Sequence, residues 1–334
     1  MKIGVIGAGS WGTTLADLLS KNGHTVTLWA YEEDLVKRMR ANRKNDLFLP
    51  DFTLDEKLEF TSELPEVAGG KEMVVLVAPS QVMRAVVRQA EPYLADNTIL
   101  VSAAKGIEND TLMPMSEVLR EILPAHRLEN TAFLSGPTFA REVAAEVPTA
   151  LTVASNDERI ARLVQTTFSC HYFRVYRSSD IVGVELGGAL KNVIALAAGV
   201  SDGLGYGYNA RAALITRGLV EMTRIGMAMG AREQTFMGLS GMGDLVLTCT
   251  GDLSRNRSVG LELGRGRKLD DILSGMKMVA EGVKTTLSAY QLAKKLSVET
   301  PIIEQMYLIL FENKDPRAAV SDLMQRSLKA EMNR

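Results

Sequence analysis

The stretch Lys2-Ile3-Gly4-Val5-Ile6-Gly7-Ala8-Gly9-Ser10-Trp11-Gly12 decides how the first half of the chain folds. Lys2–Ile6 is a short apolar run, Gly7, Gly9 and Gly12 spell G-x-G-x-x-G, and residues 13–21 carry the spacing of an amphipathic helix. Strand, glycine turn and helix in that order suit a pyrophosphate. Gly7 permits the tight turn, Gly9 lets backbone approach the phosphates, and Gly12 lets the helix pack closely on the strand. The N–H groups of Ser10 and Trp11 then meet phosphate at the positive end of the helix. With 28 glycines in 334 residues the pattern alone says little. The flanking strand and helix are what set it apart from a tight turn with no ligand.

Outward from this turn, β-branched runs recur at Thr25–Trp29, 58–60, 73–77, 98–101, 131–134, 150–154 and 172–175. Helical patterns lie between several of them, at 35–41, 81–89 and 157–167. The alternation predicts an α/β, Rossmann-type, doubly wound and mostly parallel sheet. Val74-Val75-Leu76-Val77 is apolar without a break, as expected of a strand buried on both faces. Past residue 180 the β runs stop, and long helical patterns follow at 210–229, 282–296 and 302–311. The length of 334 residues is about twice a typical ~150-residue domain. The expected organisation is a dinucleotide-binding domain over 1–180 and an all-α domain over 181–334, with a ligand cleft between them.

Composition removes several chemistries. Lys and Arg total 38 against 40 for Asp and Glu, so no basic excess draws the chain to nucleic acid or a membrane surface. Two cysteines cannot make a disulfide framework at this length, which points to a reducing compartment. No His or Cys pair has ligand-like spacing, so no metal is expected. His126 lies in a polar stretch and His171 in an expected strand, both more often structural places than catalytic ones. The apolar stretch 186–200 contains Lys191 and falls short of the ~20 residues that span a bilayer. No signal-peptide pattern opens the sequence, and a soluble, cytoplasmic protein is expected.

Lys191 stands among Gly, Ala, Leu, Val and Ile, an odd setting for a solvated charge. A lone helical lysine is usually a surface residue; on a wall facing a nicotinamide it could instead carry a proton. That role needs a pKa of ~7–8 rather than ~10.4, a difference worth about 3–4 kcal/mol that only burial and a neighbouring cation supply.

The stretch 188–209, GALKNVIALAAGVSDGLGYGYN, resembles the signature of NAD-dependent glycerol-3-phosphate dehydrogenases. The resemblance extends to Leu134-Ser135-Gly136-Pro137-Thr138-Phe139-Ala140, Leu239-Ser240-Gly241-Met242-Gly243-Asp244-Leu245, Ser254-Arg255-Asn256-Arg257 and Val279-Ala280-Glu281-Gly282. It therefore covers nearly the whole chain. It implies reversible hydride transfer between NAD(P)H and dihydroxyacetone phosphate, giving glycerol 3-phosphate for glycerophospholipid synthesis. By the same resemblance, Lys191 is the proton acceptor for the C2 hydroxyl, and Lys105 touches both substrate and cofactor. Gly136 and Thr138 contact substrate, while Ala140 contacts cofactor. Asp244 and Thr248 orient the lysine and the substrate hydroxyls. Ser254, Arg255 and Asn256 clamp the phosphate, with Arg255 also near the dinucleotide, and Val279 and Glu281 lie on the nicotinamide side. A homodimer is possible.

The residues taken singly keep other readings open. Ser254 is a good N-cap whose helix offers N–H groups to a phosphate, whereas Asp244 could merely cap a helix and Arg255 could pair with Asp252 or Glu262. The cofactor is also open between NAD and NADP. Tyr31, Glu32 and Glu33 sit where an acid would bind a ribose hydroxyl, Lys37 and Arg38 follow, and the Arg or His common in NADP-using members is missing from Ala30-Tyr31-Glu32. Two rivals remain. One is a ketopantoate- or 2-hydroxyacid-type dehydrogenase. The other is a non-catalytic dinucleotide sensor, which has no need of Lys191 with Asp244.

Overall fold

The structure, a computed structural model, describes residues 1–276, 280–328 and 330–331. Among these, eight strands form one sheet in the order β3-β2-β1-β4-β5-β6-β7-β8. They are β1 (Lys2–Ile6), β2 (Thr25–Trp29), β3 (Glu59–Thr61), β4 (Met73–Leu76), β5 (Ile99–Ser102), β6 (Thr131–Ser135), β7 (Thr149–Ala154) and β8 (Phe173–Ser178). Neighbouring strands run parallel except β6 and β7, where Leu134 faces Val153 in an antiparallel pair. All eight apolar runs of the sequence are strands, with ends displaced by up to three residues. His171 is a correction, since it precedes β8 instead of lying in it.

Alternation along β4 explains the unbroken apolar run. Met73 and Val75 face one core with Ile3, Leu15 and Phe168, and Val74 and Leu76 face another with Ile6, Met83 and Val118. Helices cover both faces, so no side chain of β4 meets water. The strand order reverses between β1 and β4, and that switch point opens a crevice outside the carboxyl ends of the strands.

The glycine turn lies at this crevice. Gly7 has φ of +120°, and a Cβ on Gly12 would stand 1.8 Å from the Gly7 carbonyl oxygen. The first helix (Ser10–Lys21) can therefore approach β1 only with glycine at position 12. Gly12→Ala is expected to lower stability by about 3 kcal/mol, the upper end of overpacking costs, and to abolish dinucleotide binding. A melting temperature within about two degrees of the parent would argue against this packing.

Beyond β8 the described chain is helical. Its centre is a 23-residue helix, Ile181–Gly203, buried from Leu186 through Ser201. It extends past its most apolar stretch, 186–200, and is long and apolar enough to cross a bilayer, but 83% of its most apolar window is buried inside the protein. Helices Tyr208–Ala228, Asp244–Thr250, Arg255–Gly264 and Glu281–Lys295 all pack on it, and a helix covered on all sides is apolar on all sides. The closest of these is Arg255–Gly264. A Cβ on Gly199 would lie 2.1 Å from the Arg257 carbonyl, and one on Gly260 would lie 2.1 Å from the Leu196 carbonyl. The start of that helix, with Arg255, is thereby drawn in beside the helix carrying Lys191.

Candidate active site

Lys191 is 7% exposed on the central helix. Its Nζ donates to Asp244 Oδ1 at 2.6 Å and to Thr248 Oγ1 at 2.7 Å. Asp244 and Thr248 are four residues apart on the Asp244–Thr250 helix and so share one face. The Thr248 hydroxyl donates to the Asp244 carbonyl at 2.6 Å, which leaves its oxygen to accept from the lysine. Lys105, three residues past β5, donates from Nζ to the other carboxylate oxygen of Asp244 at 2.6 Å and to the Gly136 carbonyl at 2.9 Å. One buried carboxylate thus holds two ammonium groups. Burial pushes the Lys191 pKa down to about 8; Asp244 opposes that effect and the Lys105 charge reinforces it. The neighbouring Cys249 thiol is pushed up by burial and stays neutral.

The remaining residues close around this pair. Thr138 Oγ1 donates to the Gly136 carbonyl at 3.2 Å, and the Ala140 carbonyl accepts from Thr14 Oγ1 of the first helix at 3.2 Å. Ser254 caps the Arg255–Gly264 helix, its hydroxyl accepting from Arg257 N at 3.2 Å. Arg257 takes the partner considered above for Arg255, pairing with Asp252 at 3.0 Å and with Asp202 at 2.9 Å. Glu281 opens the Glu281–Lys295 helix deep in the cleft, surrounded by protein yet still reached by solvent. Burial raises its pKa, against the pull of Arg255, Lys105, Lys191 and Lys284. Asn256 is buried, its amide donating to Asn192 Oδ1 at 2.9 Å and its oxygen accepting from Gly282 N at 3.0 Å. Only one side-chain N–H and the backbone of Asn256 are left for a ligand. Val279 lies outside the described residues.

Across the cleft, Gly9 is the N-cap of the first helix and no side chain caps it. The N–H groups of Ser10 and Trp11 there lack helical partners by construction, and a Cβ placed on Gly9 would meet nothing within 4 Å. That combination of open space and free donors fits a pyrophosphate. Asn45 is a residue the sequence did not single out. Its buried amide donates to the Ala8 carbonyl and to Thr13 Oγ1, both at 2.8 Å, and so fastens the glycine turn from 37 residues away. No local pattern marks it. At the end of β2, Tyr31 is exposed, Lys37 pairs with Asp34 at 3.3 Å and Arg38 with Asp46 at 2.8 Å.

The histidines are engaged elsewhere: His24 with the Thr167 carbonyl, His126 with Asp96, and His171 edge-on to Tyr172. Among the described residues no group of three or more His, Cys, Asp or Glu side chains is placed to hold a metal ion.

A dinucleotide cradle at a Rossmann switch point and a buried lysine with a lowered pKa place the chain among NAD(P)-dependent oxidoreductases. Residues 2–161 match the family model for the NAD-dependent glycerol-3-phosphate dehydrogenase N-terminus, and residues 180–321 match that for the C-terminus. The chain belongs to this family. It is 86% identical over 333 residues, all of both chains, to a protein of Syntrophotalea carbinolica named glycerol-3-phosphate dehydrogenase, NAD(P)+. The crystal structure of glycerol-3-phosphate dehydrogenase from Coxiella burnetii superposes with a TM-score of 0.92 at 39% identity, covering 97% of this chain and 99% of that one. A ketopantoate reductase structure from Ralstonia eutropha shares the fold alone, with a TM-score of 0.62 at 15% identity over 97% of this chain and 100% of that one.

Proposed function

We propose that this chain interconverts dihydroxyacetone phosphate and sn-glycerol 3-phosphate with NAD(P)(H), and that Lys191 carries the proton. The observation behind the assignment is the buried Lys191–Asp244–Lys105 arrangement. Gly7, Gly9, Ser10, Trp11 and Gly12 would hold the pyrophosphate, Tyr31 would border the adenosine side, and Ala140 and Glu281 would border the nicotinamide side. The nicotinamide, when bound, supplies or accepts the hydride. In reduction Lys191 Nζ gives a proton to the ketone oxygen; in oxidation it takes one from the C2 hydroxyl. A pKa of about 8 keeps both forms within reach near neutrality. Asp244 and Thr248 aim the Nζ, and Lys105 with Gly136 and Thr138 holds the substrate beside it. Ser254, Arg255 and the backbone of Asn256 bind the phosphate, whose remote binding energy fixes the carbonyl in place.

Arg255→Ala is expected to raise KM for dihydroxyacetone phosphate by about 10–100-fold, the loss of one charge-assisted bond, with a smaller change in kcat. An unchanged KM would remove Arg255 from the clamp. The activity itself is tested by offering dihydroxyacetone phosphate and ketopantoate side by side, each with NADH and NADPH. Oxidation of either cofactor by the phosphate ester alone is the expected result; turnover of ketopantoate alone, or of neither substrate, would reject the assignment. We place the enzyme in the cytoplasm, feeding glycerophospholipid synthesis. Two free cysteines, Cys170 and Cys249, suit a reducing compartment.

A further inference from the structure

Lys105 sits in the segment 103–114, which has no helix or strand of its own between β5 and the helix Met115–Ile122. An antiparallel bridge between Ile107 and Pro114 closes the segment on itself, and the Lys105 ammonium lies within hydrogen-bond distance of the Gly136 carbonyl and, across the domain boundary, of Asp244. The grip comes from the helix Ser80–Ala90. Gln81 brackets the segment, donating to the Ile107 carbonyl at 2.8 Å and accepting from Asn109 N at 3.1 Å. One turn on, Arg84 forks onto Glu108, with Nε to Oε1 at 2.9 Å and Nη2 to Oε2 at 2.8 Å. Thr111 Oγ1 also donates to Glu108, at 2.6 Å, and Arg84 Nη1 reaches back to Glu121 at 2.6 Å. Between these anchors the Ile107 side chain is fully buried in the core of the helical domain.

We propose that the Arg84–Glu108 ion pair, with Gln81 beside it, positions Lys105, holding its ammonium on Asp244 next to Lys191. The proposal rests on the assignment of Lys105 and Lys191 above. The side chains of Arg84 and Glu108 are 17% and 8% exposed. A pair so far from water adds little net stability over an apolar replacement, so its worth lies in fixed geometry. A bidentate fork fixes both distance and plane, which a single contact does not.

Among the described residues, the titratable groups that act on Lys191 are Asp244 and the neutral Cys249 thiol from the Asp244–Thr250 helix, Lys105 from the clamped segment, and Glu281 from the start of its helix. Of these, only Lys105 is carried by the segment that Arg84 holds. If Lys105 drifts, Lys191 loses a repelling neighbour and gains more of Asp244. Both changes strengthen its hold on the proton.

The test is glycerol 3-phosphate oxidation by the full-length double variant Arg84→Met/Glu108→Gln, followed from pH 6 to 10. One positive and one negative charge leave together, so any movement of the profile is not a direct field effect. The midpoint of the rise is expected about 0.5–1 pH unit higher than in the parent, a loss of about 3–10-fold below it, with recovery at high pH. Glu121→Gln, which cuts only the outer leg, is expected to leave the midpoint in place. A rate lowered by the same factor at every pH, or an unmoved midpoint, would mean that the pair only staples the fold; a Glu121→Gln midpoint that moves as far would reject the role of the fork. Should the double variant fail to fold, Gln81→Met is read by the same criteria. Lys105→Met separates the layers of the argument. If it moves the midpoint upward and the double variant does not, the clamp falls alone; if it does not move the midpoint, the assignment of Lys105 falls and the clamp with it.

Discussion

Lys191→Met is expected to lower turnover by about 10²–10⁴-fold in both directions, the range that a positioned proton carrier contributes, while dinucleotide affinity stays within a factor of about two. The side chain contributes nothing to the glycine turn across the cleft, and methionine fills a similar volume among the same apolar neighbours, so the fold should persist. The pH dependence of the parent supplies a second check. Its pKa of about 8 means that Lys191 is mostly protonated at neutrality. Reduction, which draws on the protonated form, should therefore decline as the pH rises through about 8. Oxidation, which draws on the free amine, should increase over the same interval. The variant should show neither limb. A Lys191→Met protein with near-native turnover, or with the same two limbs, would falsify the assignment of the proton to this lysine.

Asp244→Asn carries the second large effect and the opposite electrostatic sign. The carboxylate accepts from Lys191 on one oxygen and from Lys105 on the other, both at 2.6 Å. Asparagine preserves the shape but leaves two buried ammonium groups with no counter-charge between them. Breaking a buried pair in this way typically costs about 3–5 kcal/mol. Asp244 raises the Lys191 pKa against burial, so its loss lets that pKa fall below the parent value. The alkaline decline of the reducing reaction should then begin at lower pH, and reduction at pH 8 should drop by at least about 100-fold once misplacement of the Nζ is included. A midpoint that moves upward, or a melting temperature equal to the parent's, would show that Asp244 does not bear the two charges in the way described.

Much of the architecture was legible because it is local. The strand β4 reads as an unbroken apolar run since both of its faces are covered, and the Gly7–Gly12 turn reads as a phosphate cradle because φ at Gly7 and the contact at Gly12 exclude other residues. The start of the central helix leaves a fainter mark. Its first turn, Ile181 to Glu185, holds the polar Glu185 and depends on the Asp180 cap, whose side chain accepts from Gly183 N at 2.9 Å. That signal is weaker than the apolar centre that follows.

The site was legible only as a set of types. Lys191 stood out because a charge in an apolar helix needs a reason, but its partners stand 53 and 57 residues away in the chain. Asn45 and the Gln81–Arg84–Glu108 clamp have no pattern of their own, because a hydrogen bond to a distant segment leaves no periodicity behind. Asn256 shows the converse. The family resemblance assigns it to the phosphate clamp, whereas in three dimensions most of its carboxamide joins the Lys191 helix to the backbone beside Glu281.

Residue order alone therefore settled the strand–turn–helix opening, the passage from sheet to helices after Ser178, and the standing of Lys191 as a charge set within an apolar helix. These follow from backbone sterics, hydrophobic period and the chemistry of side chains, all of which act within a few residues. Packing decided the rest: that Lys105, and not Arg255, is the second cation on Asp244, and that burial outweighs Asp244 in bringing Lys191 to about 8. A pKa depends on desolvation and on charges a few ångströms away, and those distances exist only once distant segments have met.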